Sequence, residues 1–492
     1  MSPKTRKTTR QTRTVSSAAA ANDTGNALQP PTSDRFATIG AYGFAPVQIA
    51  LLAALVTEDP LLLIGRAGTG KTYLLNSISE ALGLEHRHYN ASLIAFDDLV
   101  GFPYPDDERQ SVRFLQTPAT IWGAQSVLVD EISRCKPEHQ NRLFSLVHER
   151  RIQGIALESL RFRWAAMNPC SADQQDNGEY LGSEALDPAL ADRFAIIVEV
   201  GDWAGLSDAQ QRLVANPGGE GLLANDNGAL RTDIEGWRAC FVADIANCPA
   251  LLIEYARIVT GELGRSGIRI SPRRARLLAR SLLAASIIEG KVREASVHTI
   301  LECSLPQRAS GIVPLPAKIA AAHRIAWDAS LATGIDKWLH DFHLTPTLDA
   351  KLRVLAESCP GPDAGTLAIE QFLANDRPER CAAFALALYP AALRGYLPLG
   401  AEAIGDLGRL ATELLSIDGE IRWQESASQN STTHPELAGL MRIVDALQPH
   451  NRQHRARQLF YWSLVKRIAI DQPAVLEQEF NACIEYLRAR AA

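Results

Sequence analysis

No two cysteines stand in a CxxC pair. The eight present are scattered singly, at positions 135, 170, 240, 248, 303, 359, 381 and 483. None has the spacing of a zinc site, so neither a disulfide framework nor a structural zinc is expected. Single cysteines in a long chain behave as small buried hydrophobes, and point to a reducing, cytoplasmic compartment, with a bacterial cell the expected setting. No run reaches the roughly 18 apolar residues of a membrane span, and no apolar core of a signal peptide follows the start. A strong charge excess is also missing. Fifty Lys and Arg face 56 Asp and Glu, a net charge of −6, which argues against non-specific nucleic-acid binding by the body of the protein. Hydrophobic residues at 46% and charged residues at 22% are near the globular average, which excludes a wholly disordered or collagen-like chain. The 492 residues correspond to about three domains.

Residues 1–34 differ from the rest. Lys4, Arg6, Lys7, Arg10 and Arg13 face only Asp23 and Asp34. Rich in Ser, Thr and Ala, the segment has too little apolar surface to offset the entropy of ordering. It reads as a disordered basic tail, alternatively as a nucleic-acid- or partner-binding arm. From Arg35 the text becomes globular. Residues 47–57 (VQIALLAALVT) are apolar nearly all round and predict a buried helix. Short apolar runs at 61–64, 126–130, 162–167 and 195–200 predict strands, with helical patterns at 72–82 and 137–150 between them. That alternation means a mostly parallel α/β sheet. After about 202 the strands stop. Residues 216–229 read as a loop. Residues 235–310 read as helices, and 316–492 as helices again, broken near 359–363, at Pro378 and at 424–435.

Gly65-Arg66-Ala67-Gly68-Thr69-Gly70-Lys71-Thr72 fits G-x-x-x-x-G-K-[ST]. Its glycines would bring N–H groups onto phosphate oxygens, Lys71 would reach the β- and γ-phosphates, and Thr72 would ligate Mg²⁺. The helix that follows adds its positive N-terminus. Asp130 and Glu131 end the apolar strand SVLVD. Beside a phosphate loop, Asp130 would hold the Mg²⁺ shell and Glu131 would polarise the attacking water; the alternative is two acids capping the next helix. Asn168 ends the strand 162–167, where α/β sheets bind ligands. It could orient the water, or be a turn Asn before Pro169.

With GRAGTGKT, LVDEISR, MNP and LDPALADRF in this order, the chain resembles an AAA+ ATPase of the MoxR group, which includes RavA-type proteins. The segment 40–65 resembles the RavA-type entry to the phosphate loop, GFPYPDDERQSVRF (101–114) an insertion in the second helix, and ERRIQGIALESLRF (149–162) the hairpin before the sensor strand. The resemblance covers about residues 36–310. It implies an AAA+ P-loop fold with a parallel-sheet core at 35–203, a helical lid at 204–310 and an all-α region at 311–492 for partner contacts. It implies ATP with Mg²⁺, and a ring, hexameric by expectation. Arg193 matches the arginine finger that reaches a neighbour's nucleotide. Arg273 matches the second sensor, expected at the nucleotide of its own chain, with Arg274 and Arg276 close enough to be confused with it. Arg66-Ala67 departs from the small or proline residues usual in the family's loop, and 170–186 is only loosely similar.

The implied function is chaperone-like remodelling, assembly or activation of a partner complex, with a von Willebrand factor A domain protein the expected partner. An alternative is an ATPase subunit of a nucleic-acid-processing or defence system, motivated by the basic tail and by the cations and aromatics at 452–467. A third is a nucleotide-gated switch with little turnover, which Glu131 disfavours. His340 and His343 stand i, i+3, but no third ligand or HExxH pattern accompanies them.

Overall fold

Four short apolar runs build four of the five strands of the sheet. The structure is a computed structural model, and it describes residues 34–93, 96–106, 111–115, 117–135, 140, 143–152, 154–170, 183–217, 226–416 and 454–491. The expected tail at 1–34 thus lies, but for Asp34, outside the described residues, as do the break at 424–435 and parts of the expected helix at 137–150 and loop at 216–229. Two compact units divide the chain: residues 1–248 with 271–313, and residues 249–270 with 314–492.

In the first unit, β1 (Leu61–Ile64), β5 (Ser126–Asp130), β8 (Phe162–Met167) and β9 (Ile196–Glu199) fall where the apolar runs predict them. With β2 (His86–Asn90) they form one parallel sheet in the order β2-β5-β8-β1-β9. Strands flanked on both faces lose the alternating pattern, so near-continuous Leu, Ile and Val are what such positions need. The polar HRHYN of the edge strand β2 carries no such signal, since its side chains bond to Asn76, Ser126, Asp130 and Glu131. Two small antiparallel hairpins stand apart: β3 (Phe102–Asp106) with β4 (Ser111–Leu115), and β6 (Arg151–Ile152) with β7 (Ile155–Ala156). The latter falls in the segment where the resemblance places a hairpin. Of the helix expected at 137–150, the described part includes one wider turn of π type at Ser145–Glu149.

α1 (Gln48–Thr57) is buried at every position from Ala50 to Thr57. Its C-terminal carbonyls need partners, and arginines supply them. Arg238 donates to Val56 O and Thr57 O, Arg280 to Thr57 O, and Arg163 to the carbonyl of Glu58. Glu58 itself is buried, and its carboxylate takes Arg161 at 2.8 Å and Arg238 at 3.2 Å. Positive charge at a helix C-terminus is favoured by the macrodipole. Burial nonetheless pushes the Arg163 guanidinium down to about 9.

After α2 (Lys71–Ala81), α3 (Phe96–Val100), α4 (Pro188–Ala191) and α5 (Asp208–Val214), the described residues contain no strand beyond β9. α6 (Ala229–Asp244) completes the run to Cys248, and α8 (Pro272–Glu289) and α9 (Glu294–Glu302) pack with it around α1. α7 (Ala250–Arg265), inside the expected lid at 204–310, belongs instead to the second unit. Its buried face, with Leu252, Tyr255 and Val259, packs on α10 (Pro316–Leu331), where the Tyr255 hydroxyl meets His323 Nδ1 at 2.7 Å. The other elements described in that unit are helices: α11 (Gly334–Leu344), α12 (Leu348–Ser358), α13 (Pro362–Asn375), α14 (Pro378–Leu393), α15 (Ala401–Leu415), α16 (His454–Val465) and α17 (Pro473–Ala491). Pro362 and Pro378 open helices rather than merely interrupting them, as a first-turn proline can.

One polar chain crosses the first unit's core. His86 Nε2 donates to Asn76 Oδ1 at 3.1 Å, which leaves Nδ1 to accept from Ser126 Oγ at 2.8 Å; Ser126 in turn meets Ser79 at 3.0 Å. Burial, then His88 and Arg87, push the His86 imidazole down to about 4 from 6.5. The unfolded chain therefore takes this proton first. The stabilisation is complete above pH 6.5 and is lost as pH falls from there through 4, up to about 3 kcal/mol in all. His86→Gln keeps a polar side chain and removes the titration. Its urea midpoint should fall less steeply than that of the wild type between pH 7 and 4. Parallel profiles would refute the assignment.

Candidate functional site

The carboxyl ends of β1, β5 and β8 meet the amino end of α2. Gly68 and Gly70 in the intervening loop have φ of 78° and 81°, a region that favours glycine, and a side chain is absent at the point where the loop turns into α2. No side chain caps α2, so its first N–H groups are open to a ligand. Lys71 folds back along the loop. Its Nζ donates to Gly65 O and Arg66 O at 2.7 Å each and lies 3.3 Å from Asn168 Oδ1. Burial lowers the Lys71 pKa, and the carboxylates of Asp130 and Glu131 oppose that.

Thr72 Oγ1 donates to Asp130 Oδ2 at 2.7 Å. The other Asp130 oxygen accepts the N–H of Glu131 at 2.8 Å. Burial works against the Asp130 charge, but hydrogen bonds from His88, Thr72 and that N–H outweigh it and hold the carboxyl below its usual range. Glu131 is left-handed, with φ of 52°. Its Oε2 accepts from Asn90 Nδ2 at 3.2 Å, and its Oε1 lies 3.8 Å from Arg134. Asn168 is held from behind, since its carbonyl accepts from Ser183 Oγ at 3.2 Å. Residues 65–72, 130, 131 and 168 are thus brought together.

Beside the loop lies a cavity of about 420 Å³ whose walls include Tyr42, Phe44, Tyr73, Trp203 and Leu206 along with Gly68. Flat aromatic faces next to an anion cradle suit a planar base joined to phosphates. The donor set therefore fits a nucleoside triphosphate. Thr72 and Asp130 offer two hard oxygens 2.7 Å apart, the kind of partial shell that Mg²⁺ takes from protein when phosphates and water supply the rest. Among the described residues no group of three or more His, Cys, Asp or Glu could hold a metal. His343 is bonded to Gln371 at 2.8 Å.

Arg193 and Arg273 lie elsewhere. Asp192 to Phe194 lead into the amino end of β9, and the Ala195 N–H donates to Pro60 O just ahead of β1. The phosphate loop follows the other end of β1, about 13 Å away for a four-residue strand. Arg273 is 3.2 Å from Asp192 Oδ2. Burial first, and then the charge of Arg273, lower the Arg193 pKa. The structure does not bring Arg273 to the loop of its own chain. The reason is local: Ser271 caps α8 and also donates to the Asp192 carboxylate, while the buried Arg274 donates to Phe194 O and Ser304 O. The start of α8 is pinned to the amino end of the sheet. Arg193 sits 4.4 Å over the Phe144 ring and donates to Ala189 O, and its buried Nε has no partner among the described residues.

Sequence reasoning missed His88, Asn90 and the aromatic wall. His88 and Asn90 sit on a strand with no apolar signal, and Trp203 sits after the last strand. Only the pairing of Asn90 with Asp130 across β2 and β5 reveals the first two.

Residues 60–194 match the family described as AAA domain (dynein-related subfamily). The chain is 27% identical over 165 residues to the uncharacterized protein YeaC of Bacillus subtilis, a match covering 32% of this chain and 48% of that protein. The chain thus spans about half the length of that relative. A crystal structure of a "putative ATPase" from Cytophaga hutchinsonii superimposes with a TM-score of 0.43 at 18% identity, over 59% of this chain and 92% of the other. Among the described residues no single helix is long and apolar enough to cross a membrane. The matched residues contain the phosphate loop and four of the five strands of the parallel sheet, with β9 following directly, and this segment of the chain is an AAA domain.

Proposed function

We propose that the chain is a MoxR-type, RavA-like ATPase that assembles into a ring, hexameric by family resemblance, and uses ATP hydrolysis to remodel or activate a partner protein complex. The observation that carries the hydrolytic part is the cluster of Lys71, Thr72, Asp130, Glu131 and Asn168 at one sheet edge. Lys71 would release the loop carbonyls and bind phosphate oxygen. Thr72 Oγ1 and Asp130 would hold Mg²⁺, which when bound neutralises charge on the phosphates. Glu131 would take a proton from water at a carboxylate oxygen while Asn168 orients that water. Arg193 and Arg273 lie at the other end of β1 from their own loop, and together would serve the nucleotide of an adjacent subunit. A von Willebrand factor A domain protein is the partner the resemblance suggests, in a cytoplasmic setting.

The nucleic-acid alternative loses one support. Leu459, Phe460 and Trp462 are buried in the helical core, and Tyr461 packs half-buried against it, so of this run only Tyr461 keeps an open face.

The test is direct. The purified chain should hydrolyse ATP with Mg²⁺, and Lys71→Ala should lower turnover about 100-fold or more together with nucleotide affinity. Wild-type protein that neither binds nor turns over ATP in a ring-forming buffer would refute the reading.

A further inference from the structure

Asp130 is held from more sides than the phosphate loop requires. Thr72 reaches Oδ2 from α2, and the Glu131 N–H reaches Oδ1 from the chain itself. A third group comes from a different strand: His88 Nε2 lies 3.4 Å from Oδ2. β2 and β5 run parallel with His88 opposite Leu128 and Asn90 opposite Asp130. Side chains two apart on a strand share a face, so His88 and Asn90 lean on Asp130 and Glu131 respectively. The His88 side chain is 37% exposed, and packing does not explain it.

We propose that His88 is a positioning residue for the cation-binding carboxylate, fixing Asp130 so that Oδ2 stays against Thr72 Oγ1. This rests on the reading of Thr72 and Asp130 as the Mg²⁺ pair. Without His88, Oδ2 is held by Thr72 only, while Oδ1 keeps the Glu131 N–H. A further contact to Oδ2 from β2 narrows the motion of that oxygen and lessens the ordering needed when the cation arrives. Groups that orient a metal's carboxylate ligand characteristically matter about 10- to 100-fold in metal affinity. With the Glu131 N–H and Thr72 still in place, the lower end applies. Nε2–H is a donor in the charged imidazole and in one of the two neutral tautomers.

The test measures binding of a fluorescent ATP analogue to the full chain, with Mg²⁺ titrated, and separately in EDTA. His88→Ala should raise the Mg²⁺ concentration for half-maximal binding about tenfold, while affinity in EDTA stays the same. His88→Gln, which keeps an N–H donor, should recover most of the loss. An unchanged Mg²⁺ midpoint in His88→Ala, an equal loss in EDTA, or a Gln variant no better than Ala would each overturn the proposal. If the alanine variant does not fold, His88→Leu replaces it under the same criteria. Wild-type protein with no Mg²⁺-dependent binding would instead overturn the assignment of the Thr72–Asp130 pair.

Discussion

Glu131→Gln is expected to lower ATP turnover by about two to four orders of magnitude while the nucleotide stays bound. The size follows from the ordinary contribution of a positioned general base. Retention follows from geometry. Lys71, Thr72 and Asp130 make no hydrogen bond to the Glu131 carboxylate, so the phosphate cradle survives the change. Gln has the same shape, and its amide oxygen can still accept from Asn90 Nδ2. The left-handed backbone at this position, φ 52°, is unaltered by the exchange. What disappears is a carboxylate oxygen able to take a proton. Phosphate release should therefore collapse, whereas affinity for a fluorescent ATP analogue with Mg²⁺ should remain within about twofold, a change of no more than roughly 0.4 kcal/mol. Turnover unchanged in the Gln variant would remove Glu131 from the chemistry. A parallel loss of affinity would mean that the side chain supports the cradle instead. The trapped complex is also the best bait, since a ring that holds ATP without hydrolysing it should retain whatever protein it grips.

What the sequence disclosed and what it withheld divide along physical lines. LLLI, SVLVD, FRWAAM and IIVE are buried on both faces of the sheet, so hydrophobic runs marked β1, β5, β8 and β9 within a residue or so. The phosphate loop and the Asp130–Glu131 pair were legible because their chemistry needs fixed residues at fixed spacing. β2 was not, because an edge strand with polar contacts to Asn76, Ser126, Asp130 and Glu131 reads like any polar stretch. The aromatic cavity was hidden for a different reason. Tyr42, Tyr73 and Trp203 come from three distant segments, and only the fold joins them. The membership of α7 turned on tertiary partners as well: its apolar face does not say which helices it will meet. Arg273 shows the limit of motif transfer. Ser271-Pro272-Arg273 marks a helix start correctly, but where that start lies depends on Asp192 and on the buried Arg274.

That placement yields the sharpest test of the ring. If Arg193 completes a site on the adjacent subunit, Arg193→Ala should cost about 10³-fold in turnover or more, the usual worth of an arginine finger, and leave nucleotide binding intact. Lys71→Ala should also be inactive, for the opposite reason: its loop is broken but its finger is whole. Mixing the two variants should then restore activity. In a closed ring with head-to-tail contacts, about a quarter of the sites in an equal mixture combine an intact loop from one subunit with an intact arginine from the next. Residues that serve only their own chain cannot complement in this way. The same experiment decides Arg273. Held 3.2 Å from Asp192 beside Arg193, it should behave as Arg193 does, with Arg273→Ala rescued by Lys71→Ala subunits. An Arg273→Ala protein that loses activity alone and gains none on mixing would place that arginine at the nucleotide of its own chain, and would require α8 to leave the Asp192 carboxylate during the cycle. Failure of Arg193→Ala to complement would remove the shared site, and with it the physical reason for a ring.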